Sequence, residues 1–369
     1  MKNIERVIIS GGGTGGHIFP AIAIANEIKS QYPSAIITFV GAEGKMEMEK
    51  VPAAGYQIIG LPIVGFQRKL SLSNFFLPFK LIKSLWKARA ILKTHQPQVV
   101  IGVGGYASGP TLKMAQQLNI PTVIQEQNSF PGKTNRLLAK KVARVCTAYN
   151  GLETVFPADK IRLTGNPVRS ELATITLDRT TAFSFFDGLD PTKKTILVIG
   201  GSLGARTLNE AVQFSLQEIT DAGYQIIWQC GKFYHAQMRE FLNEKPCKGV
   251  YLCDFIARMD AAYTAADCIV SRAGALSISE LCLIGKPTFL VPSPNVSEDH
   301  QTKNALALVA NDAALLVKDD VAKTTLFQEV LMLLTNNERS EQLAANIKKM
   351  GLPNATKDIV SIITEIVNK

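Results

Sequence analysis

Three clusters of glycine each follow a short apolar run: Gly11-Gly12-Gly13-Thr14-Gly15-Gly16-His17, Gly102-Val103-Gly104-Gly105-Tyr106-Ala107-Ser108-Gly109, and Gly200-Gly201-Ser202-Leu203-Gly204-Ala205-Arg206. Glycine at a strand-to-helix turn lets the backbone approach a ligand closely, so that amide N–H groups and the helix N-terminus face a phosphate. One such loop is also what tight strand–helix packing requires; three in one chain point to a ligand that carries phosphate. Gly11, Gly13 and Gly16 fit the G-x-G-x-x-G spacing of dinucleotide sites, yet the next apolar run ends Thr38-Phe39-Val40-Gly41-Ala42 without an acid for the ribose, Glu43 being the nearest. That weakens a nicotinamide cofactor.

A fourth segment, Ser271-Arg272-Ala273-Gly274-Ala275-Leu276-Ser277-Ile278-Ser279-Glu280, follows the apolar run Cys268-Ile269-Val270 and opens a helix. A diphosphate at its start would gain amide hydrogen bonds and the helix dipole, with Ser271 and Ser277 as small polar neighbours. Glu280, about two turns in, has the reach to accept hydrogen bonds from a ribose diol. For proton transfer the candidates are His17, whose imidazole suits a general base or a phosphate ligand, and Glu126. No D-x-D occurs, so there is no obvious carboxylate cluster for a metal on a diphosphate, and none is expected.

These residues need a scaffold, and the sequence supplies one. Apolar runs such as Arg6–Ile9, Ala35–Val40, Val99–Val103, Pro121–Ile124, Thr195–Ile199, Tyr224–Trp228, Cys268–Val270 and Pro287–Val291 alternate with helical patterns. Short, continuously apolar strands between helices predict an α/β chain with parallel sheets covered on both faces. At 369 residues the chain exceeds a single core, and the runs fall into two sets separated by the polar segment Leu172–Lys194, just after Gly165-Asn166-Pro167. Two Rossmann-like domains are expected, residues 1–165 and 166–351, followed by an amphipathic helix with Ile359, Ile362, Ile363, Ile366 and Val367 on one face. The six cysteines form no C-x-x-C pair and read as small hydrophobes in a reducing compartment. Neither a signal h-region nor about 20 continuous apolar residues is present, so no membrane span is expected.

Charge is unevenly spread. Residues 1–168 hold 20 Lys/Arg against 8 Asp/Glu, giving +12, whereas residues 169–369 hold 20 against 23, giving −3. No acid occurs between Glu49 and Glu126. The first half therefore expects an anionic partner. Phe75, Phe79, Ile82 and Trp86 are spaced as one helical stripe, with Phe76, Lys80, Lys83 and Lys87 beside it, the pattern of a basic amphipathic element on an anionic bilayer. The competing reading buries that stripe in the core. A nucleic-acid partner would want a recognisable binding motif, and none is found, so nucleic acid is not expected.

Taken in order, Gly12–His17, Gly104-Gly105-Tyr106, Glu126-Gln127-Asn128, Gly165–Arg169, Gly200–Arg206, Arg272–Glu280 and Asp299-His300-Gln301 resemble the MurG family of GT-B glycosyltransferases, over nearly the whole chain. The resemblance implies two Rossmann-like domains facing a cleft, with the C-terminal helix, residues 352–369, returning to the first. It implies inverting transfer of GlcNAc from UDP-GlcNAc to the 4-hydroxyl of MurNAc in undecaprenyl-pyrophosphoryl-MurNAc-pentapeptide, at the cytoplasmic face of the inner membrane and without a metal. Other cell-wall synthesis proteins are implied as partners.

Carried over by position, UDP-GlcNAc contacts would be Thr14, Gly15, Gly16, Asn128, Arg169, Ser202, Ile256, Ala275, Leu276, Ser277, Ile278, Ser279, Glu280 and Gln301; Gly104, Gly105 and Tyr106 would meet the acceptor. The family often carries a histidine before Glu-Gln-Asn, where this chain has Gln125. The alternatives are another GT-B enzyme using a UDP-sugar, such as a diacylglycerol glycosyltransferase or a UDP-GlcNAc 2-epimerase.

Overall fold

The computed structural model describes residues 3–63, 77–168, 172, 174–201 and 203–369. The chain forms two compact units, one made of residues 1–168 with 354–369 and the other of 169–353.

The first unit is built on a seven-stranded sheet of order β3-β2-β1-β4-β5-β6-β7, all pairs parallel. Its strands are β1 (Arg6–Ser10), β2 (Ile36–Ala42), β3 (Gln57–Leu61), β4 (Val99–Gly102), β5 (Thr122–Glu126), β6 (Arg144–Thr147) and β7 (Ile161–Leu163). Side chains alternate across the sheet, and both faces are dry. Val7 and Ile9 point into a core shared with Ile24, Ile28, Ile359 and Ile363, whereas Ile8 joins Ile91, Leu92, Leu112 and Ile124 on the opposite face. The second unit repeats the plan with six strands, β10-β9-β8-β11-β12-β13: β8 (Thr195–Ile199), β9 (Gln225–Gln229), β10 (Val250–Cys253), β11 (Cys268–Ser271), β12 (Thr288–Leu290) and β13 (Leu315–Leu316).

In each unit the strand order reverses beside the first strand, between β1 and β4 and between β8 and β11. Open α/β sheets bind ligands beyond the carboxyl ends of their strands at this switch point. The glycine clusters follow β1, β4 and β8, and the Ser271–Glu280 segment spans the end of β11, so all four chemistry-bearing segments flank a switch point.

The polar stretch 172–194 is a packed part of the second unit. Leu172, Ala182, Phe183 and Phe186 are buried, Arg179 pairs with Asp267 at 2.8 Å, and the Arg258 guanidinium stacks 4.3 Å from the Phe185 ring centre. The helix Ala355–Asn368 packs on the helix Gly15–Gln31, with Ile359, Val360, Ile363 and Val367 buried and Tyr32 and Thr364 hydroxyls 3.0 Å apart. All six cysteines are unpaired, and burial pushes the thiols of Cys146, Cys268 and Cys282 up to about 12, where they stay protonated. No helix among the described residues is long and apolar enough to cross a membrane.

Candidate functional site

In the first unit, α1 (Gly15–Gln31) begins directly after the glycine loop, with extended Thr14 at its N-cap and Gly15 and Gly16 in its first turn. His17 folds back so that its Nδ1 lies 3.0 Å from the carbonyl oxygen of Gly12. A carbonyl only accepts, so the bond puts a proton on Nδ1 and makes Nε2 the accepting nitrogen of the neutral ring. The loop after β4 closes on this ring. A methyl group at Gly104 (φ +93°) would sit 2.8 Å from His17 Nε2, and one at Gly105 (φ +83°) would sit 2.3 Å from the Gly12 oxygen. Tyr106, next along, is half exposed.

Glu126, the second candidate for proton transfer, is enclosed. It ends β5 and is 1% exposed. Its Oε1 accepts from the Asn128 backbone N–H at 3.0 Å and from Asn128 Nδ2 at 3.3 Å; its Oε2 accepts from the Gly132 N–H at 3.1 Å and from Asn135 Nδ2 at 2.8 Å. A buried carboxylate that receives four N–H donors organises the 127–132 loop.

The second unit gathers most of the expected donor contacts. The side chain of Gln229, at the end of β9, braces the third glycine loop: it accepts from the Gly201 N–H (3.1 Å) and donates to the Gly201 oxygen (3.0 Å) and to the Asp254 oxygen (3.3 Å), two residues before the buried Ile256. The run Ala275, Leu276, Ser277, Ile278, Ser279 and Glu280 forms the first turns of the helix Ala275–Ile284, capped by extended Gly274. Glu280 Oε2 accepts from the hydroxyl of Tyr263, itself 2% exposed, which fixes the carboxylate. Gln301 sits in the first turn of the helix His300–Val309, where its Oε1 accepts from the Ser293 N–H at 2.8 Å. Ser271 is turned inward, with its hydroxyl on the Arg272 oxygen, so it is a structural residue here.

Arg272 is also committed. It pairs with Asp319 and donates to the Val291 and Pro292 oxygens, while Asp319 accepts from Thr207 at 2.9 Å. Asp319 thus ties the start of the helix after the third glycine loop to the segment after β11. Arg169 and Ser202 lie outside the described residues, as do Phe75 and Phe76.

On the helix Leu77–His95 the described part of the stripe is not buried in the core. Phe79, Ile82 and Trp86 are 66%, 54% and 73% exposed, and the core-facing side is Ser84, Ala88, Ile91 and Leu92. Lys83 is exposed and Lys80 half-buried, whereas Lys87 turns to Glu43 at 2.8 Å.

The glycosyltransferase family 28 N-terminal domain matches residues 7–147 and the family 28 C-terminal domain matches residues 195–359. The chain belongs to glycosyltransferase family 28. Over 372 residues it is 54% identical to the UDP-N-acetylglucosamine--N-acetylmuramyl-(pentapeptide) pyrophosphoryl-undecaprenol N-acetylglucosamine transferase of Phocaeicola vulgatus, covering 100% of this chain and 98% of that protein. It is 55% identical over 365 residues to the protein of the same name from Bacteroides fragilis, covering 98% and 95%. The crystal structure of Acinetobacter baumannii MurG superimposes with a TM-score of 0.82 at 29% identity, covering 98% and 99% of the two chains. The fold is GT-B, and the protein is an N-acetylglucosaminyltransferase.

Position 125, where the resemblance leads one to expect histidine, has a structural task in this family-28 chain. Gln125 is fully buried and donates from Nε2 to Asn166 Oδ1 at 3.0 Å, while Asn166 Nδ2 donates to the Gln127 oxygen at 3.0 Å. The side chain faces the Gly165-Asn166-Pro167 segment, so its work is to fasten that segment to the end of β5. Residues that sequence reading missed share this bracing character: Gln229, Asp319 and Asn166 each hold a loop from a distance, and Tyr263 holds the Glu280 carboxylate on its helix. Only Asn166 lay inside a recognised motif.

Proposed function

We propose that this enzyme transfers GlcNAc from UDP-GlcNAc to the MurNAc 4-hydroxyl of undecaprenyl-pyrophosphoryl-MurNAc-pentapeptide, with inversion at the anomeric carbon. The observation that carries the reading is full-length likeness, 54% over 372 residues, to a transferase whose name states that donor and acceptor. The site agrees with it. The helix that opens at Ala275 turns its N-terminus and dipole toward a diphosphate in this reading, and Glu280, held by Tyr263, would accept from a ribose diol.

In this mechanism His17 Nε2 takes the proton of the acceptor hydroxyl as that oxygen attacks the anomeric carbon. The new glycosidic C–O bond forms on the face opposite the breaking bond to UDP, and the electron pair leaves with the diphosphate. Amides of the glycine-rich loop around Ser202, the Ala275 helix and Arg169 meet the developing charge, with Ile256 marking the uracil side and Gln301 the sugar side. Catalysis then needs no divalent ion.

The test is transfer of labelled GlcNAc to a lipid-linked MurNAc-pentapeptide in detergent, with and without EDTA. Product is expected at equal rates in both, and Glu280→Ala is expected to raise the KM for UDP-GlcNAc by about 10- to 100-fold, the worth of a hydrogen bond to a charged group. UDP-GlcNAc binding without product would move the assignment to another GT-B reaction.

A lipid-linked acceptor is met at a membrane, and the exposed Phe79, Ile82 and Trp86 flanked by Lys80 and Lys83 form a surface suited to the anionic headgroup layer. The reading is a peripheral enzyme that docks on the bilayer through the helix Leu77–His95. Phe79→Ser with Trp86→Ser is expected to weaken sedimentation with anionic vesicles about tenfold or more, since each aromatic contributes roughly 1 kcal/mol or more of burial. Turnover of a short, water-soluble acceptor should be unchanged; equal vesicle binding by the double variant would remove this helix from the docking surface.

A further inference from the structure

We propose that Glu47 is a positioning residue for His17: its buried carboxylate shapes the first glycine loop to present the imidazole. The inference deepens the reading of His17 as the base. Glu47 opens the short helix Glu47–Ala53 after β2 and is 1% exposed. Its Oε2 accepts from the Gly13 N–H at 2.8 Å and its Oε1 from the Ala42 N–H at 3.0 Å, so one carboxylate joins the ends of two neighbouring strands. Two glycines make room for it. A methyl group at Gly12 (φ +145°) would sit 2.2 Å from the Glu47 carboxyl carbon, and one at Gly41 would sit 2.6 Å from its Cγ.

Gly12 is the link to the imidazole. On one side it packs on the Glu47 carboxylate; on the other its carbonyl takes the Nδ1–H of His17. A shift of the loop would release that bond, and with it the tautomer that makes Nε2 accepting. The Gly13 amide is thus already held by a carboxylate of the chain itself, which fixes the turn that carries Gly12.

The experiment compares wild type, Glu47→Gln, His17→Ala and the double variant in the transfer assay, alongside long-range 1H–15N NMR of the imidazole in full-length protein. Only four histidines need assigning. Glu47→Gln keeps the shape but turns an amide donor toward an N–H. It is expected to lower kcat by about 10²-fold, the effect of a misplaced catalytic group, with the KM for UDP-GlcNAc held within about twofold. On the His17→Ala background it should cost nothing further, since residues that act as one unit are non-additive. The NMR of Glu47→Gln should show His17 losing its Nδ1–H preference. Additive losses in the double variant, or an unchanged His17 tautomer, overturn the proposal. UDP-GlcNAc binding and the thermal midpoint report whether the variant is folded; if it is not, Gly12→Ala, which intrudes on the same carboxylate, is read by NMR against the same two outcomes. Absence of transfer by the wild type would refute the assigned reaction, and the NMR arm would then decide the Glu47–His17 link by itself.

Discussion

His17→Ala is expected to reduce kcat by about 10²- to 10⁴-fold, the range over which a positioned general base contributes, while leaving the affinity for UDP-GlcNAc within about threefold. Two backbone features hold the ring. Nδ1 is held by the Gly12 oxygen at 3.0 Å, and the Nε2 edge lies against Gly104, where no side chain fits. Both restraints are backbone features, so the ring orientation is fixed before any substrate arrives and the reaction spends little on arranging it. Alanine keeps the helix and deletes only the imidazole. A kcat within threefold of wild type, measured at saturating donor and acceptor, would mean that another group removes the proton.

The second large effect is on stability. Glu126→Gln is expected to destabilise the enzyme by about 2–4 kcal/mol, because one oxygen that accepted from two N–H donors becomes an amide facing them, and unsatisfied buried groups cost roughly 1–3 kcal/mol each. The variant would unfold at lower urea concentration with an unchanged slope. Below its unfolding transition it should retain kcat within about tenfold, as the loop reaching Asn128 relaxes but the imidazole stays in place. A base replaced by its amide gives the opposite pattern, with stability kept and turnover lost. Measuring urea midpoints and kcat on the same preparation separates the two roles of this carboxylate.

How legible the molecule was depends on where each residue's partner lies in the sequence. β1, β4, β8 and β11 were readable because central parallel strands are buried on both faces and so consist of continuous apolar residues such as Val99-Val100-Ile101. β10 is only half-buried, β13 has two residues and β6 has only Val145 and Cys146 between Arg144 and Thr147, so none of them shows a clear run. The glycine loops were readable because turn chemistry is local. The groups that hold them in shape were not: Glu47 lies 34 residues from Gly13, Gln229 lies 28 from Gly201, and Asp319 lies 47 from Arg272. Each contact exists only after the sheet has brought distant turns together. Glu126 was noticed for its chemistry, but its four donors come from a loop that wraps around it, and nothing in residue type distinguishes a wrapped carboxylate from an open one.

The first unit is completed by the helix Ala355–Asn368, whose Ile359, Val360, Ile363 and Val367 cover α1 and one face of the first sheet, while residues 169–353 intervene as a separate unit. On a ribosome adding about 5–20 residues per second, the sheet of residues 6–163 is made roughly ten to forty seconds before the helix that seals it. For that interval an apolar face stays open to water, long enough for a chaperone to occupy it. The second unit, whose described elements all arise from one continuous stretch, has no such wait and can be native first, although its residues are synthesised later.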